Sequence, residues 1–153
     1  MSARLSASDL GFRVRADDEE SLFKWLLASF LFGKRIGHQV AAATWRILVQ
    51  VHGLDAPHKL RRCTHAQLVG MLRQGGYARY DQSTAQRLRW LCDMLLEQYH
   101  GRVLGIFEAA ESRGDFERRL LQFKGIGPVT VEIFMREAGV ALGLDQGDAS
   151  AGP

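Results

Sequence analysis

The sequence predicts an all-α fold, and three of its features support that class. Apolar residues recur at helical spacing in one segment after another, and no run alternates with a period of two for long enough to predict a strand. The segments are joined by short connections, most of which contain glycine. Because 46% of the residues are hydrophobic, the chain can build a substantial core. We therefore expect a barrel-like bundle of roughly six or seven helices.

The first helix is expected to lie at the centre of that bundle. Residues 1–20 are polar and end in an acidic run, in which Asp17 or Asp18 can cap a helix and Glu19 favours its first turn through the helix dipole. Residues 21–32 are apolar on nearly every side, which is typical of a buried helix. We treat residues 1–20 as an N-terminal extension that precedes the helical domain.

The following elements are marked by their caps and breakers. A glycine-bracketed basic turn precedes a second helix, and a loop with Pro57 follows it. Thr64 and Gln67 form the pattern of a capping box, and the paired glycines at residues 75–76 end that helix. Asp81 is expected to cap a long helix through Tyr99, and Asp115 a short one. The other predicted elements are a loop at residues 53–62 and helices at residues 38–52, 103–112, 115–123 and 129–138. We expect the helical domain to span residues 21–139 and a flexible tail to span residues 140–153.

Charge and cysteine content limit the classes of function. The net charge is +3 with a pI of about 9.1, and the 20 cations are 16 arginines and 4 lysines. Arginine suits phosphate because its planar fork supplies two parallel donors. A net charge of only +3 is by itself a weak indication of nucleic-acid binding. Two cysteines are too few for a structural zinc site or an iron–sulfur cluster, so no metal is expected.

The location of the protein is predicted by what the sequence lacks. It contains no uncharged apolar stretch of about 18 residues, so no membrane span is expected. The N-terminal residues carry no apolar core of a signal peptide. We therefore expect a cytoplasmic protein, and the sequence leaves its oligomeric state open.

The segment Gly125-Ile126-Gly127-Pro128 carries the strongest functional signal. Its glycines permit positive φ and the close approach of another backbone, Ile126 is expected to point into the core, and Pro128 suits the first position of a helix. The amides of Gly125, Gly127 and the next two residues, Val129 and Thr130, would then be unpaired at a helix N-terminus. Such a nest favours an anion, and a DNA phosphate fits it without any base being read. The predicted DNA contacts of this segment are Gly125, Ile126, Gly127, Val129 and Thr130.

Cationic and aromatic residues elsewhere are further candidates for DNA contact. Lys124 directly precedes Gly125, and Lys34 with Arg35 forms the basic turn between two glycines. Tyr77 and Arg79 lie in an aromatic–basic cluster that could touch a base or the backbone. The alternatives are a solvated loop for Lys34 and Arg35, and simple core packing for Tyr77.

The hairpin and the order of the helices resemble the helix-hairpin-helix DNA glycosylases of the endonuclease III superfamily. The similarity covers about residues 22–139, including the buried first helix, the basic turn at residues 33–36 and the helix with Trp45. The resemblance implies a six-helix barrel-like module closed by the hairpin, which binds double-stranded DNA through its phosphate backbone. In similar hairpins the carbonyls can also hold a monovalent cation; no other cofactor is expected.

Two positions depart from the chemistry of that family. Members that also cleave the strand use a lysine two residues after the second hairpin glycine, where this chain has Val129, which cannot form a Schiff base. The catalytic aspartate of the family falls near Gly147, so Asp145 and Asp148 are the candidate catalytic residues, unless they are solvated residues of the tail. The sequence therefore leaves three hypotheses: a glycosylase-like repair enzyme, a non-catalytic module for distorted duplex, and a protein-interaction adaptor.

Overall fold

A computed structural model describes residues 5–144, which form eight α-helices and no strand. The all-α class predicted from the sequence is therefore confirmed for this part of the chain. None of these helices is long and apolar enough to cross a bilayer. In chain order the helices are α1 (Glu19–Phe32), α2 (His38–Arg46, continued by a π-helical turn at Ile47–Val51), α3 (Pro57–Arg61), α4 (His65–Gly75), α5 (Asp81–Tyr99), α6 (Val103–Ala109), α7 (Arg113–Leu121) and α8 (Pro128–Ala141).

One helix was missed in the sequence. The segment predicted as a loop contains α3, which begins at Pro57, where the fixed φ of proline is already helical and its missing N–H costs nothing. Leu60 in the same helix is fully buried and holds this turn on the core. Two apolar anchors in five residues are too few for a periodic signal, so α3 depends on its packing against α5.

Two boundaries near the hairpin also differ from the prediction. The capping residue of α7 is Ser112, whose hydroxyl accepts the Asp115 N–H at 3.0 Å, so the helix begins two residues earlier than expected. The Asp115 carboxylate instead accepts the N–H of Glu111 and pairs with arginines of α7, which holds its pKa down at about 2. Helix α8 runs to Ala141, three residues past its predicted end.

Helix α1 is the central element, as its sequence predicts. From Ser21 to Phe32 every residue except Lys24 is buried. The Trp25 indole donates to the Phe134 carbonyl of α8 at 3.0 Å, and the Trp45 indole of α2 donates to the Lys24 carbonyl at 3.0 Å. These two bonds satisfy both indole N–H groups inside the core and fix α1 between α2 and α8.

The domain core includes residues that precede α1. Ala7, Leu10 and Val14 are buried in the same hydrophobic cluster as the helices. The Ala7 N–H donates to a Glu137 carboxylate oxygen of α8 at 2.9 Å. The segment that the sequence marks as an extension therefore contributes side chains to the core from residue 7 onward.

Candidate nucleic-acid interface

The turn at residues 122–127 joins α7 to α8, and we refer to it as the hairpin. Gly125 has φ +89°, and a Cβ there would lie 3.0 Å from the Phe30 ring and 3.2 Å from the Arg87 side chain. Glycine is therefore required at 125 by both conformation and packing. Ile126 is buried, as predicted, and its N–H donates to the Phe123 carbonyl at 3.1 Å. The buried Ile126 side chain thus holds the hairpin to the core.

The backbone N–H groups around the start of α8 are open. Those of Gly125, Gly127, Val129 and Thr130 have no acceptor among residues 5–144, and no side chain there caps the helix. The Ile126 N–H, which is not one of the amides predicted to be unpaired, is used internally. Aligned N–H groups at a helix start carry partial positive charge and favour an anion.

Gly127 differs from Gly125 because nothing in the described protein requires it. Its φ is −112°, which any residue adopts, and a Cβ added there would have no atom within 4 Å. The space belongs to an open groove of about 380 Å³ that runs past Gly33, Lys34 and residues 125–130. The groove leaves room for an external group to approach the backbone at the start of α8.

Lys34 ties the loop between α1 and α2 to the hairpin. Its ammonium donates to the Gly125 carbonyl at 2.6 Å and lies 4.3 Å from the centre of the Phe30 ring. Burial, and secondarily the charge of Arg87, lowers the pKa of Lys34 to about 8. One of the hairpin carbonyls, the group that in similar hairpins can hold a monovalent cation, thus already accepts from this lysine, which has two further N–H groups to offer.

Three of the predicted DNA-contacting cations are exposed. They are Arg35 in the loop after α1, Arg79 after α4, and Lys124 in the hairpin. The Lys124 ammonium lies 4.6 Å from the centre of the partly exposed Trp90 ring, and Arg79 lies 5.9 Å from that of Tyr80. Each is free to extend toward a bound polyanion.

The side chains of three other predicted contacts have different surroundings. Thr130 is buried where α8 crosses the end of α1, and a Cβ on Gly33 would lie 2.2 Å from its hydroxyl. Of the Thr130 donors, only the backbone N–H is open to a ligand. The Ile126 side chain is also buried, and its N–H already donates to the Phe123 carbonyl. Val129, the residue in place of the lyase lysine, is 55% exposed.

Tyr77 is in the core, the alternative that the sequence left open. It is 5% exposed, and burial raises the pKa of its phenol. Its hydroxyl is shielded from solvent and has no hydrogen-bond partner among residues 5–144. Tyr77 directly follows Gly76, whose left-handed conformation ends α4. This glycine ending and the capping box at Thr64, which begins α4, were both predicted from the sequence.

A second cavity of about 220 Å³ adjoins the hairpin on the side of α5, and we call it the α5 pocket. It is lined by Lys34, Arg35, Ile36, Tyr77, Tyr80, Thr84 and Arg87. Sequence reasoning missed Arg87. The available signal was its spacing of three residues from Thr84 and seven from Tyr80, which places all three on one helix face.

The candidate catalytic residues Asp145 and Asp148 lie outside the described residues. The described chain ends at Leu144, whose N–H donates to the Gly139 carbonyl at 2.5 Å and so turns back onto α8. Residues 5–144 contain no cluster of three or more His, Cys, Asp or Glu that could hold a metal ion.

Comparison of the chain with protein-family models and with curated protein sequences found no match. The fold and the site define an all-α protein with an open, glycine-capped helix N-terminus beside a basic loop.

Proposed function

We propose that this protein binds double-stranded DNA through its phosphate backbone, as a helix-hairpin-helix protein of the endonuclease III-like type. The observation that carries the proposal is the start of α8. Glycine at 127 is required by neither conformation nor packing, and it leaves four amides near it without an acceptor in residues 5–144. A phosphate is the anion that fits such a helix end.

The charges near the hairpin support a polyanion rather than a small carboxylate. Lys124 lies in the turn, Lys34 bonds its carbonyl, and Arg35 follows in the same basic loop. Several cations beside one amide nest suit a ligand that carries repeated negative charges, such as the phosphates along a strand. Contacts of this kind fix the position of a duplex but carry no information about its sequence.

The substitution Gly127→Ala tests the amide nest. Alanine fits the backbone at 127, so the variant should fold with unchanged or slightly higher stability. A methyl group in the groove should weaken duplex binding by about tenfold, the equivalent of 1.4 kcal/mol. Gly70→Ala is the matched control, since that glycine is exposed on α4 and also has open space around it.

The measurement is duplex affinity at several salt concentrations. Wild-type binding should tighten steeply as salt falls, because each neutralised phosphate releases counterions. Equal affinity of Gly127→Ala and Gly70→Ala would contradict the nest. Absence of any duplex binding at low salt would refute the whole proposal and favour the protein-interaction adaptor.

A second candidate is a DNA glycosylase that uses Asp145 or Asp148. It rests on the resemblance, in which the catalytic aspartate of the family falls near Gly147. A catalytic carboxylate has to be held in place by packing, and the described chain is bonded to α8 as far as Leu144. The test is release of damaged bases from a panel of duplexes by wild type, Asp145→Asn and Asp148→Asn. Base release that neither substitution reduces would exclude both aspartates, and no release from any substrate would favour the binding module.

A further inference from the structure

We propose that the α5 pocket binds the terminal phosphate monoester of a broken DNA strand. The inference rests on the proposed function, because the hairpin would hold the neighbouring duplex. It assigns the ligand chemistry of a cavity that the backbone contact at α8 does not use.

The wall of the α5 pocket is rich in hydrogen-bond donors. It presents the cationic groups of Lys34, Arg35 and Arg87, together with hydroxyl groups, and none of the described residues that line it carries a carboxylate. Among residues 5–144, neither Arg35 nor Arg87 has an ion-pair partner, although most other arginines of the protein pair with Asp or Glu or donate to a carbonyl. Such a wall selects a ligand that is anionic and rich in acceptors.

A phosphate monoester fits this set of donors better than a phosphodiester or a base. At neutral pH a monoester carries a charge of about −1.5 to −2 and three acceptor oxygens, whereas a diester carries one charge. A nucleobase with an exocyclic amino group needs an acceptor, and the charged groups here are all donors. Three cations and a dianion are therefore the closest match.

Tyr77 gives an independent reason to expect a polar ligand in the pocket. Its side chain forms part of the wall, and its buried hydroxyl has no partner among the described residues. Buried hydroxyl groups without a partner are rare in folded proteins. In the proposed complex a small shift of the groups that cover this hydroxyl would let a phosphate oxygen supply the missing acceptor.

The size and position of the pocket indicate a strand end. A volume of 220 Å³ equals that of about seven water molecules, which holds a phosphate and part of a sugar. Ile36 and the Tyr80 ring offer apolar surface to the sugar. The Arg87 side chain lies against Gly125, and Lys34 lines both this pocket and the hairpin groove. A terminal phosphate here would thus neighbour a backbone phosphate at the start of α8.

The test compares one duplex sequence in four forms: uncut, nicked with a 5′-phosphate, nicked with a 5′-hydroxyl, and nicked with a 3′-phosphate. We expect one phosphorylated nick to bind about tenfold more tightly than the hydroxyl nick, as one charge-assisted hydrogen bond would give. Which phosphorylated form is preferred identifies the strand end. Equal affinity for all three nicks overturns the inference, and if the uncut duplex still binds, the proposed function stands.

Arg87→Gln should abolish the preference for the phosphorylated nick, whereas Arg62→Gln, an exposed arginine on the C-terminal side of α3, should keep it. Tyr77→Phe should reduce the preference without lowering the melting temperature, since it removes a hydroxyl that has no described partner. A preference retained in both pocket variants would overturn the assignment. Loss of binding to every duplex, including the uncut form, by the wild type would instead refute the proposed function.

Discussion

The N-termini of α6 and α8 both have backbone N–H groups without an acceptor inside the helix, but only those of α6 are bonded by a side chain from the described part of the protein. At α6 the Glu19 carboxylate, from the first turn of α1, accepts the Val103 N–H at 2.5 Å and the Leu104 N–H at 3.0 Å. At α8 no acceptor of residues 5–144 reaches the first amides, although both ends expose the same kind of donors. The α6 contact is an internal example of the anion binding that we propose for α8.

Three other helix N-termini are also bonded by side-chain oxygens of the protein. Side-chain oxygens of Asp18, Thr64 and Ser112 cap α1, α4 and α7. In residues 5–144 four helices have no side-chain cap at the N-terminus: the five-residue α3, α5, and α2 and α8, which follow Gly37 and Gly127. At α5 the predicted cap, Asp81, is instead the first helical residue and accepts the N–H of its neighbour Gln82. Both glycines have negative φ and open space around them, and both adjoin the basic loop. Two of the four uncapped N-termini, those of α2 and α8, therefore lie beside the basic loop.

The largest expected effect comes from removing the internal anion. Glu19→Ala leaves two helix-start amides without an acceptor, one of them on buried Val103, and should lower the free energy of unfolding by roughly 2–3 kcal/mol. Glu19→Gln keeps one acceptor oxygen and should cost less. Urea unfolding measures both. A loss below about 0.5 kcal/mol for Glu19→Ala, no more than an ordinary surface substitution, would show that the two helix ends are not comparable.

The next effect separates the two glycines of the hairpin. Gly125→Ala places a Cβ at positive φ and against Phe30 and Arg87, so it should destabilise the fold by about 1–3 kcal/mol. Gly127→Ala should leave the fold intact and lower only DNA affinity. Thermal unfolding and duplex binding, measured on both variants, check the division. Equal melting temperatures for the two variants would remove the distinction.

A cap can be added at α8 to make it resemble α4. The extended backbone of Gly127 suits a capping aspartate, so Gly127→Asp should raise stability by a few tenths of a kcal/mol. The same carboxylate would occupy the nest and repel phosphate, and duplex affinity should fall by more than tenfold. Gly70→Asp, with the same charge on exposed α4, is the control. Unchanged affinity in Gly127→Asp would place the DNA contact elsewhere.

The smallest effect concerns pH and Lys34. Its pKa of about 8 is below the ordinary 10.5, so between pH 7 and 9 the lysine loses its charge and duplex binding should weaken by about twofold to fivefold. Lys34→Arg keeps its charge and should bind with nearly constant affinity over this range. The other charged and titratable groups of the cavity are Arg35, Arg87, Tyr80 and Tyr77, and burial raises the pKa of the Tyr77 phenol further above this range.

Fold stability has the opposite pH dependence at this lysine. Because the folded state binds the Lys34 proton less tightly than the unfolded state, its contribution to stability should increase between about pH 8 and pH 10.5. The difference in unfolding free energy between the wild type and Lys34→Met, followed over this range, measures that contribution. A difference that decreases with rising pH would contradict the assignment of the lowered pKa to Lys34.

Local sequence rules determined the all-α class, the buried α1, the capping box at Thr64 and the inward position of Ile126. Each depends on residues a few positions apart, where periodicity and capping chemistry act directly. The glycines at 125 and 127 were identified in the same way, but their different roles were not, because only the surrounding structure shows which one has packed neighbours.

The tertiary structure alone decided which groups meet. Lys34 bonds the carbonyl of Gly125, 91 residues later. Arg87 of α5 lies against Gly125 and lines one pocket with Lys34. The Thr130 side chain is buried because α8 crosses α1 beside a glycine. Tyr77, for which the sequence left both a DNA contact and core packing open, is buried at the end of α4. Burial and pairing of this kind depend on how helices pack, which periodicity within one helix does not encode.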